Sequence, residues 1–333
     1  MASDAKVKKR RVTAQDVADR AGVSRYAVSR AFTDGGYVEA NKRQRIQEAA
    51  EALGYRPNAL ASGLQGGRSD LVAIFVGEMS NEYDKEVVSQ LVIGLNAAGK
   101  WPIVIGGSEI AARDAVSSVL RYPLEAMILR SGSLDIEIVE SCLKLGIPVI
   151  SSGRVMHQKG VDNICVRNAE GAAAVTRLAI EKGRRRIAYI DGPPHFSSSH
   201  DRRSGVFAAL AEHGLTAITE DVGDFTMLGG QTVTENILKS DPDAIVCAND
   251  AMAVGAIGVI RSRGLRVPED VAVVGFDDFS ISAWSGLSLT TVRNPIDRLV
   301  KSVVDLLQRR GADPTKAEET IYLDAELIVR NSH

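Results

Sequence analysis

Two short amphipathic segments follow one another near the start of the chain, in the stretch Val12-Thr-Ala-Gln-Asp-Val-Ala-Asp-Arg-Ala-Gly-Val-Ser-Arg-Tyr-Ala-Val-Ser-Arg-Ala-Phe32. Thr13 is a good N-cap, and Asp16, three residues later, completes a Thr-x-x-Asp capping pattern. Gly22 can adopt the positive φ that a helix exit needs, and Ser24 can cap a second helix directly afterwards. The stretch therefore predicts two helices joined by a tight turn.

The second of these helices has one apolar face and one polar face. Val28 and Ala31 point toward the first helix, and the residues that face away are Arg25, Tyr26, Ser29 and Arg30. A short, polar and basic helix braced by another helix fits the major groove of B-DNA. The pattern favours DNA binding, and the alternative is an ordinary helical hairpin with a solvated face.

Composition and charge describe a globular protein with a basic head. The chain has 333 residues, of which 45% are apolar and 25% charged, and its net charge is −2. Residues 1–67 carry 12 Lys and Arg against 7 Asp and Glu, whereas the remainder carries 28 against 35. This asymmetry indicates that residues 1–67 alone bind a polyanion.

The cysteines and the N-terminus indicate a cytoplasmic protein. Cys142, Cys165 and Cys247 are far apart and lie in apolar runs, which gives neither a metal-ligand spacing nor a disulfide framework. Residues 1–11 are polar and no apolar segment of a signal peptide follows. No stretch approaches the ~20 apolar residues of a membrane span, so we expect no membrane partner.

A third helix and a linker follow the first two helices. Asn41 is predicted to cap this helix, and its apolar positions recur with helical spacing at Ile46, Ala49, Ala50 and Leu53. Asn58 can cap a further short helix that ends at Leu64. A helix of this length is unstable alone, so it should order only against a partner.

From residue 70 onward, short apolar strands alternate with helical segments. The predicted strands are 71–76, 102–106, 126–129, 148–151, 187–190, 244–247 and 271–275. This alternation is typical of parallel sheets covered on both faces by helices, an α/β fold. The span suits two such sheets, and a last helix (298–309) and strand (320–329) remain to be placed.

Two sequence runs resemble the head and hinge of LacI-type bacterial transcription regulators. They are Val-Thr-x-x-Asp-Val-Ala-x-x-Ala-Gly-Val-Ser-x-x-x-Val-Ser-Arg and Gly-Tyr-Arg-Pro-Asn-x-x-Ala-x-x-Leu. Later runs resemble the core of the same family, and they are Lys182-Gly-Arg-Arg-Arg-Ile-Ala-Tyr-Ile, Ala248-Asn-Asp-Ala-Met-Ala, Val267-Pro-Glu-Asp-Val-Ala-Val-Val-Gly-Phe-Asp-Asp278, Leu289-Thr-Thr-Val292 and Glu326-Leu-Ile-Val-Arg330. The resemblance therefore covers nearly the whole chain.

The resemblance implies a three-helix helix-turn-helix head with a hinge helix, followed by a periplasmic-binding-protein-like core of two doubly wound parallel-sheet subdomains. We expect the head at 1–57 and the hinge helix and linker at 58–69. The core N-subdomain is expected at 70–167 and 293–318, and the C-subdomain at 168–292 and 319–333. The chain would then cross between subdomains near 165, 292 and 318.

The resemblance also implies which residues meet DNA. In this family the second helix reads the major groove, and paired hinge helices enter the minor groove, where a leucine wedges between base steps. Carried over by position, Arg25, Tyr26 and Arg30 are the base-reading candidates and Leu64 is the wedge. The full expected DNA-binding set is Thr13, Ser24, Arg25, Tyr26, Ser29, Arg30, Asn58, Ala61 and Leu64.

Ligand residues are predicted at the carboxyl ends of strands, where open α/β sheets bind their ligands. Asn249 and Asp277 each follow a predicted strand, and so do Asn81 and Tyr83. The family resemblance adds the remaining two candidates, Arg202 and Phe225. Such polar side chains around an aromatic plate suit the hydroxyls and the apolar face of a sugar.

Two departures from the family pattern bear on the effector class. Arg154 stands where some sugar-responsive members carry an Asp, and Arg167 replaces an acidic residue common in the family. A cation added near the cleft favours an anionic ligand such as a sugar acid or a sugar phosphate.

Catalysis is disfavoured because the sequence has no Gly-x-Gly-x-x-Gly, no P-loop and no Gly-x-Ser-x-Gly motif. We expect no catalytic residue, no metal site and no cofactor. His195 and His200 flank a polar loop without an evident third metal ligand, and Gly255-x-x-Gly258 is explained more simply by helix packing.

The expected function is that of a dimeric repressor on a pseudo-palindromic operator, whose affinity for DNA a carbohydrate-like effector controls by linkage. The alternatives are a regulator that answers mainly to a protein partner and one that answers to a nucleobase-type corepressor. A transport-type binding protein would leave residues 1–67 unexplained.

Overall fold

A computed structural model of the protein describes residues 10–33, 35–57, 69–77, 79, 82–107, 109–130 and 136–333. The chain divides into two compact units, residues 1–69 and residues 70–333. No helix within these described ranges is both long enough and apolar enough to cross a membrane.

The described part of the first unit contains three helices around a small apolar core. They are α1 (Ala14–Ala21), α2 (Arg25–Ala31) and α3 (Ala40–Leu53). The predicted capping box of α1 is present, because the Asp16 amide donates to Thr13 Oγ1 and the Thr13 amide donates to Asp16 Oδ2 at 2.8 Å. Gly22 ends α1 in the left-handed conformation with φ 63°, as the turn requires.

The start of α3 differs from the sequence prediction. The helix begins at Ala40 with Glu39 in the N-cap position, so Asn41 lies inside the first turn and is not the cap. Arg43, one turn into this helix, donates to the Ala31 carbonyl at 2.8 Å and also to the Gly36 carbonyl. Ala31 is the last residue of α2 and Gly36 lies after it, so Arg43 ties the end of the second helix to the third.

The second unit contains twelve strands and eight α-helices among its described residues. The strands are β1 (Leu71–Gly77), β2 (Trp101–Gly106), β3 (Leu124–Leu129), β4 (Val149–Ser152), β5 (Val161–Val166), β6 (Ile187–Asp191), β7 (Thr219–Val222), β8 (Ala244–Cys247), β9 (Ala272–Val274), β10 (Thr291–Arg293), β11 (Thr320–Leu323) and β12 (Glu326–Ile328). The helices are α4 (Glu82–Ala97), α5 (Glu109–Val119), α6 (Ile136–Lys144), α7 (Asn168–Glu181), α8 (Ser197–Glu212), α9 (Met227–Ile237), α10 (Asp250–Ser262) and α11 (Ile296–Ala312).

Two parallel sheets organise these elements, which confirms the predicted α/β class. The first sheet has the order β11-β5-β4-β3-β1-β2 and the second has the order β7-β6-β8-β9. The inner strands are mostly apolar and buried, because helices cover both faces of a parallel sheet, whereas β2, β7 and β11 at the sheet edges are partly exposed. A short antiparallel pair, β10 with β12, completes the unit.

The last part of the chain is placed differently from the prediction. The expected boundary at 319 assigned everything after it to the second sheet, but β11 pairs in parallel with β5 of the first sheet. Arg310 fixes this arrangement, since its Nε and Nη2 donate to the buried Asp162 carboxylate, both at 2.8 Å. The prediction is therefore wrong for Thr320–Leu323, and the last crossing of the chain lies after Leu323, before β12 pairs with β10.

Candidate functional site

A cleft in the second unit is lined from both sheets and encloses about 760 Å³, including the part open to solvent. From the first sheet and its helices come Tyr83, Asp84, Arg130, Ser152, Gly153 and Arg154. From the second come Asn168, Phe196, Arg202, Phe225, Asn249 and Asp277. Polar and aromatic side chains from both sheets therefore line one shared space.

Five of the six predicted ligand residues line this cleft. They are Tyr83, Arg202, Phe225, Asn249 and Asp277. Asn81 lies outside the residues that the structure describes. Residues far apart in sequence therefore meet in one place, which is the arrangement that a binding role requires.

Arg202 connects three segments beneath the cleft. Its Nε donates to Asn168 Oδ1 at 3.0 Å, its Nη1 to the Ala248 carbonyl at 2.6 Å, and its Nη2 to Asp277 Oδ1 at 3.0 Å. The guanidinium also lies 3.8 Å from the centre of the Phe276 ring. A guanidinium has five N–H donors, so two remain for a ligand while the other three hold the site together.

Asp277 combines an unusual backbone with an unusual acidity. Its φ is 120°, a conformation that side chains other than glycine rarely adopt. Burial raises the pKa of its carboxyl to about 7; the Asp250 charge acts in the same direction and the Arg202 charge opposes it. Oδ1 accepts from Arg202 and from Asn294 Nδ2 at 2.7 Å, so two side chains fix the position of this carboxylate.

A hydrogen bond connects Asn249 to the backbone of Phe225. Asn249 caps α10, accepting from the Met252 amide at 3.0 Å, and its Nδ2 donates to the Phe225 carbonyl at 3.1 Å. Phe225 has a positive φ of 63° and its ring packs edge-on against Phe196 at 5.6 Å. Asn249 therefore positions the aromatic wall of the cleft, in addition to lining it.

Arg130 is a cleft residue that the sequence analysis missed. Its side chain is 3% exposed, and its Nη2 donates to Asp84 Oδ1 at 2.7 Å while its Nη1 donates to the Ser152 carbonyl at 3.1 Å. The guanidinium also lies 5.4 Å from the centre of the Tyr83 ring. Arg130 directly follows β3, so the rule that selected Asn249 and Asp277 would have found it.

Asn168 and Asn294 were also missed, and both support the Arg202–Asp277 pair. Asn168 accepts from Arg202 and donates to the Val166 carbonyl at 3.2 Å. Asn294 donates to Asp277 from the segment that crosses between the sheets before α11. No sequence pattern marks Asn294, because its position depends on where that crossing passes.

The two arginines that departed from the family pattern have different locations. Arg154 lines the cleft, half-buried, and burial lowers the pKa of its guanidinium. Arg167 does not line it and lies at the surface, with its Nε 3.0 Å from Asp324 and its guanidinium 5.0 Å from the centre of the Tyr322 ring. The expectation of a cation at the cleft therefore applies to Arg154, whereas Arg167 lies outside the lining residues.

In the first unit, the predicted DNA-reading residues of α2 share one exposed face. Val28 and Ala31 are buried against the other helices, whereas Arg25, Tyr26 and Ser29 are exposed. Arg30 Nη1 donates to the Tyr26 hydroxyl at 3.2 Å, one turn away. This contact holds two of the three long side chains of the face together.

The remaining predicted DNA contacts have mixed positions. Thr13 and Ser24 are exposed and act as N-caps, with Ser24 Oγ accepting from the Ala27 amide at 3.2 Å. Asn58, Ala61 and Leu64, the hinge candidates, lie outside the described residues.

A helix-turn-helix head joined to a two-sheet, cleft-bearing core defines a class of protein, the bacterial transcription regulators. Residues 13–58 match the signature described as bacterial regulatory proteins, lacI family, and residues 176–333 match a periplasmic binding protein-like domain. A probable HTH-type transcriptional repressor of Bacillus subtilis, ExuR, is 31% identical over 330 residues, covering 96% of this chain and 98% of its own. The chain belongs to the LacI family.

Solved structures agree with this assignment. The lac repressor dimer bound to operator and the anti-inducer ONPF superposes with a TM-score of 0.87 and 26% identity, covering 97% of this chain and 99% of that one. A complex of the transcriptional regulator CelR with cellobiose gives a TM-score of 0.74 and 29% identity, covering 97% and 100%.

Proposed function

We propose that this LacI-family regulator is a repressor whose affinity for a pseudo-palindromic operator is set by a small carbohydrate-like effector bound in the cleft. The observation that carries the proposal is the convergence of Tyr83, from the first sheet's side, with Arg202, Phe225 and Asp277, from the second, on one cleft. An aromatic wall beside hydrogen-bonding side chains suits a sugar ring and its hydroxyls.

The relatives support the two halves of this proposal. One similar structure is a repressor dimer on its operator with a small anti-inducer, and another holds cellobiose. For this chain we infer a homodimer in which two copies of α2 enter successive major grooves, with Arg25, Tyr26 and Arg30 reading base edges. Leu64 would act at the operator centre, in the minor groove. The protein would work in the cytoplasm, where its DNA is.

The mechanism we infer is thermodynamic linkage. An effector that lies between the two sheets binds one relative arrangement of the sheets more tightly than another. It therefore increases the population of the arrangement that it binds more tightly. That arrangement sets the spacing of the two hinge segments in the dimer, and the spacing determines whether the hinge helices order on DNA. A coupling of about 1–3 kcal/mol is enough for a useful switch.

The test is a gel shift of the full-length protein on operator DNA selected from a random library. We expect a two-fold symmetric site, and we expect at least one sugar, sugar acid or polyol to change the apparent Kd by 5-fold or more, as typical couplings give. The same compound should raise the Tm of the free protein by mass action. If only a nucleobase changes operator affinity, the effector is a nucleobase-type corepressor and not a carbohydrate. If only a protein partner changes operator affinity, control by a small ligand is wrong.

A further inference from the structure

We propose that the effector carries a carboxylate, and that Arg130 and Arg154 form the subsite that receives it. This inference rests on the proposed function and narrows it from a carbohydrate-like ligand to a sugar acid. The hydroxyl-binding and aromatic part of the cleft stays at Arg202, Asp277 and Phe225, and the acidic end of the ligand lies toward the first sheet.

The first support is the charge of the cleft. The described lining residues carry three guanidinium groups, from Arg130, Arg154 and Arg202, and two carboxylates, from Asp84 and Asp277. Their formal sum is +3 − 2 = +1. Charge removed from water is costly unless an opposite charge compensates it. A ligand with one negative charge brings this sum to zero, whereas a phosphate dianion would reverse it.

The second support is how the carboxylates are already used. Asp84 Oδ1 accepts from Arg130 at 2.7 Å and Asp277 Oδ1 accepts from Arg202 at 3.0 Å. Both carboxylates of the cleft are therefore already paired with an arginine.

The third support is the geometry around Arg130. Its side chain is 3% exposed, and its Nε has no acceptor within the described part of the chain. Gly153 lies over this guanidinium with φ 118°, and a Cβ at that position would come within 3.4 Å of Arg130 Nη1. The glycine leaves the cleft open directly beside Arg130, and the next residue in the chain is Arg154.

The fourth support lies on the opposite wall. Ser197 and Ser198 line the cleft at the first turn of α8, where no side chain caps the helix and no acidic residue occupies the first turn. A helix N-terminus carries partial positive charge and favours anions. The first turn of α8 therefore adds to the positive potential of the arginines, and this turn contains no carboxylate that would repel an anionic ligand.

The experiment is isothermal titration of the full-length protein with matched probes. The probes are D-glucose, D-glucuronate, D-gluconate and D-glucose 6-phosphate, together with D-galactose and its three corresponding derivatives. We expect at least one carboxylate to bind at least 10-fold more tightly than its neutral parent and than its phosphate, because charge-assisted hydrogen bonds to Arg are strong and directional. Tightest binding of a neutral sugar or of a phosphate would overturn the inference, and so would binding of no carboxylate in the panel.

Variants then locate the subsite. Arg154→Met should weaken binding of the carboxylate by about 10- to 100-fold, and Arg154→Lys should restore part of the loss, because Lys keeps the charge but not the fork of donors. Arg167→Met is the matched control, since Arg167 lies outside the cleft, and it should leave the affinity unchanged. Equal losses in Arg154→Met and Arg167→Met would overturn the subsite. If Arg154→Met folds poorly, as judged by its Tm without ligand, Arg130→Lys provides a second test of the same subsite.

The operator gel shift separates this inference from the proposed function. If a neutral sugar changes operator affinity and no sugar acid does, the carboxylate subsite is wrong while ligand control stands. If no compound changes operator affinity, the proposed function itself fails.

Discussion

Arg202 and Asp277 form an ion pair at 3.0 Å in which the two side chains are 6% and 3% exposed. Arg202 lies in α8 and Asp277 lies in the loop after β9. The same guanidinium holds Asn168 at the start of α7 and the Ala248 carbonyl after β8. One side chain therefore connects the ends of β8 and β9 in the second sheet with Asn168, which follows β5 of the first sheet.

Replacing Arg202 should be costly for stability. Arg202→Met removes the ion-pair partner of Asp277 and the donor to Asn168 and to the Ala248 carbonyl, and breaking a buried pair by removing one partner costs about 3 kcal/mol or more. The measurement is urea unfolding followed by the fluorescence of Trp101 and Trp284, the two tryptophans of the chain, both within residues 70–333.

The neighbouring residue provides the control for that measurement. Arg203 pairs at the surface with Glu220 at 2.5 Å and is 45% exposed. Exposed pairs contribute about 1 kcal/mol or less, so Arg203→Met should change the free energy of unfolding far less than Arg202→Met. Equal losses would mean that the buried network contributes nothing beyond an ordinary ion pair.

The raised pKa of Asp277 predicts a pH dependence of stability. The folded protein binds this proton up to about pH 7, whereas an unfolded Asp loses it near 3.9. The stabilisation is therefore fully present below pH 4 and is lost as the pH rises toward 7, with a slope of at most about 1.4 kcal/mol per pH unit. Asp277→Asn does not titrate, so its Tm should rise relative to the wild type over this range.

The difference between the two melting curves removes the contributions of other groups. Asp250, whose pKa burial raises to about 6, is present in both proteins and largely cancels. A constant Tm difference from pH 4 to pH 7.5 would contradict a raised pKa at Asp277.

Two glycines in α10 should respond oppositely to the same substitution. A Cβ on Gly255 would lie 2.2 Å from the Met227 carbonyl oxygen, where α9 and α10 approach each other. Gly255→Ala should therefore destabilise by about 1–3 kcal/mol, as overpacking does. A Cβ on Gly258 would have its nearest neighbour at 3.9 Å, in the side chain of Gln231.

Gly258→Ala is the matched control within the same helix. Ala is favoured over Gly by up to about 1 kcal/mol in a helix, so this variant should be as stable as the wild type or more stable. Urea unfolding of both variants checks the pair. Destabilisation of similar size in both would indicate a general intolerance of α10 rather than close packing at Gly255.

The capping box of α1 separates a structural role of Thr13 from a DNA contact. Thr13→Ala removes the cap and should cost about 1 kcal/mol. This corresponds to roughly fivefold faster amide hydrogen exchange in Ala14–Ala21. Thr13→Ser keeps the hydroxyl and should retain protection. If Thr13→Ser loses operator affinity while its exchange is normal, the threonine methyl contacts DNA.

Arg25 should specify bases and not merely attract phosphate. Arg25→Ala should change the preferred base at one symmetric pair of operator positions, with a discrimination of about 1–3 kcal/mol lost at each. Sequencing of operators selected from a random library measures this preference. Arg20→Ala, an exposed arginine at the end of α1, should leave the selected sequence unchanged. A uniform loss of affinity across all sequences in Arg25→Ala would assign Arg25 to the DNA backbone.

Most of the fold was predictable because its signals are local. The cap at Thr13, the turn at Gly22 and the buried strand runs each need only a few neighbouring residues to be interpreted. The strand Thr320–Leu323 was misplaced because its partner, β5, lies about 150 residues earlier. Its sheet is decided by long-range packing and by the Arg310–Asp162 pair, which no local pattern contains.

The cleft was predictable where the chain reaches it directly from a strand. Asp277 and Asn249 follow β9 and β8, and Arg130 follows β3 by the same logic although the sequence analysis overlooked it. Asn294 enters from a crossing segment, and Arg167 points out of the cleft toward Asp324. For such residues the side-chain direction depends on tertiary structure, so sequence position alone was not informative.

The late return of the chain to both sheets has a consequence for biosynthesis. Thr320–Leu323 completes the edge of the first sheet, and Ser332 then donates to the Val273 carbonyl and accepts from the Thr290 amide in the second. Neither sheet can reach its final state on the ribosome before this segment has emerged. A chain that ended before Thr320 would contain the complete helix-turn-helix, whereas both sheets of the core would lack part of their hydrogen bonding.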